Sequence, residues 1–350
     1  MKAQQAAGDS VPRLPVGRYR IWFEAQGALN WRGFLGSAWR GALGHSLRGV
    51  VCITKVPNCP DCLLYHACVY PYIFETPPPP DTRKLSKYTA APHPFVLELP
   101  FEPPPAASRL FMLGLCLFGR SNRYLAYLVH ALGEAAGRGI SRQRDRLQLL
   151  RVEQERPLGS GRWQSIHEAG GPLEPLGPEV PGWPAPNGVF QLRFLTPLRL
   201  RANETYVDPA AFRFSHLFGN LLRRISLLTY FHTDSPLETD FARLVRLARE
   251  VSPLRVNLQW LDWERYSSRQ KLKLRMGGLT GAVDLDASQL ADLWPYIWLG
   301  QWTHAGKGTS MGLGRFEIRR LDSGDATLQA CETPPLEGSQ YILREEEPDA

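Results

Sequence analysis

The 350-residue sequence has no apolar run long enough to span a membrane, and its first ten residues, Met1 to Ser10, lack the hydrophobic core of a secretory signal. Both absences point to a cytoplasmic protein with no membrane partner. Cysteine is scarce, six residues in all, and in a reducing compartment these are not expected to pair as disulfides. A strong charge excess is missing too. With 41 Lys and Arg against 34 Asp and Glu, the net charge of +7 permits a polyanionic partner without demanding one. The richest glycine stretch follows neither the phosphate-loop nor the dinucleotide pattern, because no strand-loop-helix context of the right spacing surrounds it.

That stretch is nevertheless the most distinctive in the chain. Gly306, Gly308, Gly312 and Gly314 fall within nine residues, carry Lys307, and run through Arg315 into the alternation of Phe316 and Ile318. A tight turn that lets backbone approach a phosphate chain before a strand begins is the chemistry such a stretch permits. Upstream, the segment from Trp260 to Gly278 interleaves Trp263 and Tyr266 with Arg265, Arg269, Lys271, Lys273 and Arg275. Rings for base stacking beside cations for phosphate neutralisation suit single-stranded or looped RNA. The bland alternative for these cations is a solvated strand face.

Cys52, Cys59, Cys62 and Cys68 lie within seventeen residues and include a Cys-x-x-Cys pair. Four thiolates satisfy one tetrahedral ion that would fold an otherwise coreless loop; zinc is expected, an iron-sulfur cluster is the alternative, and His66 is a substitute ligand. Cys116 and Cys331 stand alone in apolar or strand-like contexts and are expected to be inert.

Periodicity predicts the order strand, helix, strand, strand, helix, strand twice, which is the ferredoxin-like arrangement. The first unit, 13–154, begins with a strand on which Tyr19, Ile21 and Phe23 share a face, and carries the cysteine-rich insertion (52–90). A Gly- and Pro-rich linker (155–187) follows, then a second unit (188–321). Residues 1–12 and the 322–350 extension read as loose. The fold class is therefore α+β, two tandem ferredoxin-like (RRM-like) domains with a metal-binding insertion in the first. On the first helix, Leu35, Trp39, Leu43 and Leu47 form an apolar stripe, and His45 falls roughly 120° from its centre, within reach of solvent.

A histidine on the first helix, the Gly-x-Gly-x-x-x-Gly-x-Gly-Arg loop ending at Arg315, and the Trp263 to Gly281 segment together resemble the CRISPR precursor-RNA-processing endoribonucleases of the RAMP superfamily. The cysteine cluster followed by Tyr70 to Glu75 is similar to one branch of them. The resemblance implies metal-independent acid/base cleavage of repeat RNA, leaving 2′,3′-cyclic phosphate and 5′-hydroxyl ends, with the product retained. It implies a stem-loop repeat as substrate and other CRISPR effector subunits as partners. It assigns proton transfer to His45, with Arg48 as the supporting cation and Arg40 or Lys55 as alternatives; Arg265, Arg269, Lys271, Lys273, Arg275, Lys307 and Arg315 contact RNA. The tyrosine and lysine that often accompany the histidine are absent, since Trp31 and Phe34 stand where a tyrosine is expected. His304 is the runner-up catalytic residue, and His216 reads as structural. The competing reading is a non-catalytic subunit that scaffolds an effector complex on guide RNA. A zinc-dependent nuclease is weaker still, because a closed thiolate shell leaves no position for water.

Overall fold

The computed structural model describes residues 11–29, 31, 33–78, 91–102, 104, 108–140, 145–267 and 272–321. The first ten residues and the extension from 322 lie outside the described residues, as does most of the Pro-rich connector.

The N-terminal unit runs β1 (Val16–Ala25), α1 (Gly36–Val51), β2 (Phe95–Glu98), β3 (Leu110–Phe118), α2 (Leu125–Arg138), β4 (Leu147–Glu155) and β5 (Trp163–Glu168). All pairings are antiparallel, in the order β2-β3-β1-β4-β5. The first four strands reproduce the ferredoxin-like order. β5 is an addition: the span expected to be only a linker adds an edge strand to β4 and bridges Val16 through Glu179. Its period is hidden by the surrounding glycines and prolines, and pairing with an existing edge supplies what local pattern does not.

Tyr19, Ile21 and Phe23 are buried beneath α1 and α2, as alternation predicts. Trp39 on α1 is fully buried there, stacked on Phe111 at 5.3 Å and tilted against Phe23 at 5.2 Å. Truncating such a side chain costs about 3–5 kcal/mol, so this contact fixes α1 on the sheet. Ser121 holds a 3-10 turn (Gly119–Tyr124) before α2, its hydroxyl accepting from the Phe118 amide at 3.0 Å.

The C-terminal unit runs β6 (Val189–Leu198), a short hairpin of β7 (Arg201–Ala202) and β8 (Thr205–Tyr206), α3 (Phe214–His232), α4 (Phe241–Glu250), β9 (Arg255–Ser267), β10 (Leu272–Asp286), α5 (Trp294–Thr303) and β11 (Phe316–Leu321). Its sheet order, β11-β6-β10-β9, repeats the ferredoxin-like order. α4 begins at Phe241, because the Asp240 carboxylate accepts the Arg243 amide at 2.9 Å and caps the helix there. α5 begins at Trp294, because Asp286 caps a separate 3-10 turn and Pro295 opens the next helix. Leu14, Val16, Val96, Cys116 and Phe118 join the core of this second unit, so the two domains share apolar packing.

Candidate nucleic-acid interface and cysteine cluster

The glycine-rich loop leaves α5 through His304, which takes φ +56° as the helix C-cap, and doubles back on β6. At Gly314 (φ +68°) a Cβ would lie 1.8 Å from the Ala305 carbonyl oxygen, so only glycine fits. Asn220 Oδ1 accepts from Gly306 N at 2.6 Å, the Arg199 carbonyl from Lys307 N at 2.9 Å, and Thr196 Oγ1 from Arg315 N at 2.9 Å. The loop is thus a built object. The amides of Gly308, Thr309 and Ser310 have no acceptor among the described residues, and Lys307 beside them is exposed. Consecutive amides next to a free ammonium suit an anion.

α1 packs against this loop. A Cβ on Gly36 would meet the Met311 carbonyl oxygen at 1.8 Å, so backbone touches backbone. One turn on, Arg40 donates from Nε to Ser310 Oγ at 3.0 Å and pairs through Nη2 with His93 Nε2 at 2.9 Å, over the Phe74 ring at 5.4 Å. Burial, and then Arg40, push the His93 imidazole down to about 3, so it is neutral and its Nε2 accepts the guanidinium proton. Neither Arg40 nor His93 stands out by spacing alone.

His45 is exposed, as its wheel position predicts. Five residues along α1 turn it about 140° from Arg40, so it does not share the side that meets the loop. Arg48 is engaged elsewhere: its Nη2 donates to the carbonyls of Val56 at 2.9 Å and Pro57 at 2.6 Å, and it lies 5.8 Å from the Tyr70 ring centroid. Its charge braces the cysteine loop rather than standing free beside His45.

The runner-up His304 is fully buried, which removes it from contact with a substrate. Its Nδ1 faces the Leu313 carbonyl at 3.2 Å and its Nε2 lies 4.0 Å from Glu98 Oε1, too far for a hydrogen bond. Glu98 on β2 also accepts from Arg18 Nε at 2.9 Å and lies 3.8 Å from Arg315 Nε, while Arg18 reaches Glu155 at 3.1 Å. Burial alone would raise the Glu98 carboxyl; Arg18, then Arg315 and His304, hold it well below the usual carboxylate range. Arg315 therefore ties the loop to the N-terminal sheet and is only 24% exposed. Charged residues inside apolar runs, Arg18 in β1 and Glu98 in β2, were the available sequence signal for this network. His216 is half-buried on α3.

The basic hairpin is only partly described. Register pairs Lys273 with Tyr266, Arg275 with Glu264 and Leu274 with Arg265, so Arg265 takes the opposite parity from the other two cations; Arg269 and Lys271 lie outside the described residues. At its base Trp260 covers Gly277, where a Cβ would meet the indole at 2.3 Å, and Trp263 meets Phe101 edge-on at 5.5 Å.

Cys52, Cys59, Cys62 and Cys68 all line one small cavity of about 20 Å³ between the end of α1 and Tyr70. None forms a disulfide. The donor chemistry fits a thiolate-bound ion, but among the described residues no three His, Cys, Asp or Glu side chains are drawn together as a ready metal shell. Thr54 Oγ1 lies 3.2 Å from Cys62 Sγ, and burial with the Glu75 carboxylate pushes the Cys59 thiol up to about 11. Lys55 takes φ +55° in the same loop.

The fold is two ferredoxin-like domains with a glycine-rich segment on the second. Residues 192–316 match the family of the CRISPR-associated endoribonuclease Cas6, and residues 14–177 match the N-terminal domain family AF_1859_N. Among solved structures, a Thermus thermophilus Cas6 (TTHB231) product complex is 18% identical with a TM-score of 0.51, over 87% of this chain and 99% of that one. The partial Cas6-RT-Cas1–Cas2 complex is 12% identical with a TM-score of 0.50, over 89% of this chain and 47% of that one. No curated relative matches the sequence. Among the described residues no helix is long and apolar enough to cross a membrane.

Proposed function

We propose that this chain is an endoribonuclease that cuts CRISPR precursor RNA within its repeat. The observation that carries the reading is the glycine-rich loop of a domain that matches the Cas6 family, built against α1 with exposed Lys307 beside three amides that have no acceptor among the described residues. In this reading Lys307 and the amides of Gly308, Thr309 and Ser310 hold an RNA phosphate, and the cations of the β9-β10 hairpin hold the strand beyond it. Arg40, aimed by neutral His93 and bonded to Ser310, is the nearer candidate than Arg48 to stabilise negative charge at the loop.

His45 exchanges protons: it removes the proton of a 2′-hydroxyl or supplies one to the departing 5′-oxygen. The 2′-oxygen attacks the adjacent phosphorus, the bond to the 5′-oxygen breaks, and 2′,3′-cyclic phosphate and 5′-hydroxyl ends result without a catalytic metal. The product stays bound to the same cations, available to other CRISPR subunits. Incubation with end-labelled repeat RNA should yield those ends in the presence of chelator, and a 2′-deoxy substitution at the cut site should block the reaction. Binding of the repeat with no cut under any condition would replace the enzyme by a guide-RNA scaffold.

The four cysteines hold a structural zinc ion in this reading, supported by their spacing and their shared cavity. The ion would cross-link the loop that Arg48 braces and takes no part in cleavage. Elemental analysis should find about one zinc per chain; iron with visible absorption, or no metal, contradicts the assignment.

A further inference from the structure

The face of the N-terminal sheet turned away from α1 and α2 carries the even-numbered residues of β1, because Tyr19, Ile21 and Phe23 point into the helix-covered core. Register arranges this face in rows. Val16 sits beside Phe118, both buried in the core shared with the C-terminal domain. Arg18 sits beside Cys116, Arg20 beside Gly114 and Glu153, and Trp22 beside Met112 and Arg151. The Arg18 row reaches Glu98 and through it Arg315 at the end of the glycine-rich loop. The two outer rows therefore continue the surface away from that loop.

The outer rows, together with Trp163, which register puts in the Arg18 row through Glu155 and whose ring centroid also lies 5.5 Å from Arg18 Cζ, interleave indoles with guanidinium groups. Arg20 Cζ lies 3.8 Å from the centroid of Trp163 on β5, and Arg151 Cζ lies 5.0 Å from that of Trp22. Glu153 fixes the second pair, accepting from Trp22 Nε1 at 2.8 Å and from Arg151 Nε at 3.1 Å. All four side chains are half-buried, and neither indole belongs to a core cluster. A Cβ on Gly114 would lie 2.7 Å from Glu98 Cβ, so at the middle of the face the Glu98 side chain takes the space over Gly114. Glu98, Glu153 and Glu155 offset the arginines nearby, which disfavours a phosphate track here. Rings and guanidinium planes on an open, charge-balanced sheet suit the faces of unpaired bases, which stack without sequence preference.

The geometry points to a stacking platform for unpaired RNA bases, formed by Trp163 and Trp22 with Arg20 and Arg151 holding the rings. Its ligand is the single-stranded part of the RNA whose adjoining phosphate lies on the glycine-rich loop. The platform rests on the reading of the chain as an RNA-processing enzyme and adds a second contact, absent for a bare stem-loop. β5, which widens the ferredoxin-like sheet by one strand, supplies one of its two rings.

Photocrosslinking of the wild-type protein to repeat RNA carrying 5-bromouridine in its single-stranded flank tests this directly. Cross-linked peptides should contain Trp22 or Trp163; crosslinks only elsewhere, or none, overturn the platform. In direct binding, Trp163→Ala should weaken the flanked RNA by about 10-fold or more, within the range that loss of one stacked base produces. It should leave the affinity for the stem-loop alone, and the salt dependence, unchanged, which also shows that the variant is folded. Trp163→Phe, which keeps a ring, should restore most of the loss. Equal losses on both RNAs, or none, contradict the proposal. Cleavage followed in the same samples separates the two readings: a wild type that crosslinks through Trp163 but never cuts loses the nuclease assignment and keeps the platform.

Discussion

His45 and the glycine-rich loop meet α1 from different sides, and this sets what each side chain can do. An exposed imidazole with no hydrogen-bond partner among the described residues suits proton transfer. His45→Ala should lower single-turnover cleavage by about 10²–10⁴-fold while RNA affinity measured by filter binding stays nearly intact; normal cleavage by this variant would exclude the residue from the chemistry. Lys307 and Arg315, equivalent in sequence terms, separate once their surroundings are known. Lys307 is exposed, whereas Arg315 answers the buried Glu98. Lys307→Ala should reduce the slope of log affinity against log salt by about 0.7–0.9, the signature of one lost phosphate contact. Arg315→Ala should instead lower the thermal midpoint by a few degrees with little change in slope. The reverse pattern would place the phosphate contact at Arg315.

At the scale of elements, the decisive contact is α1 against the loop, where Gly36 admits the Met311 carbonyl at a distance no side chain tolerates. Gly36→Ala should cost roughly 1–3 kcal/mol of unfolding free energy, as overpacked contacts do, and weaken RNA binding with it because the loop is displaced. Chemical denaturation and binding measured on one preparation would show the coupling, and loss of stability with full RNA affinity would dissolve it. Gly44 is a softer case, since its Cβ would meet only the Phe74 ring at 2.9 Å. The strands themselves were partly legible: β1, with Tyr19, Ile21 and Phe23 on one face, and β11, with Phe316 and Ile318, fall where alternation puts them. Helix starts were less so, because Asp240 and Pro295 act as local signals within longer apolar patterns that extend beyond the helices.

Across the whole molecule, three histidines are buried neutral where the domains meet. His93 faces Arg40, His304 faces Glu98, and His232 lies 3.2 Å from the Tyr72 hydroxyl and 2.8 Å from the Pro92 carbonyl. Burial pushes His232 down to about 4 and His93 to about 3, and lowers His304 as well. For His232 and His93 the unfolded chain takes up the proton near pH 6.5, the folded chain only near pH 4 and pH 3; His304 shifts in the same direction. Stability is thus complete above pH 6.5 and falls as pH drops toward 4, by up to about 1.4 kcal/mol per pH unit for each histidine. Glu98, held low, adds a loss of the same sign below about pH 4.3. The urea midpoint should therefore decline between pH 6.5 and 4.5, and His232→Gln should flatten that decline. A midpoint constant over this range would mean that the histidines are not shielded.

The amino-acid pattern alone determined the two ferredoxin-like units, the core faces, the exposed side of α1 and the clustering of four thiols, because each follows from spacing along one element or one loop. Only the tertiary structure decided that His304 is sealed behind Glu98, that Arg48 serves the cysteine loop, that Arg40 is held by His93 and Ser310, and that β5 extends the first sheet. Each of these depends on a contact that folding makes between side chains or strands that are not neighbours along one element. The fate of a charge is set by the partner that folding brings to it, and spacing along the chain carries no record of that partner.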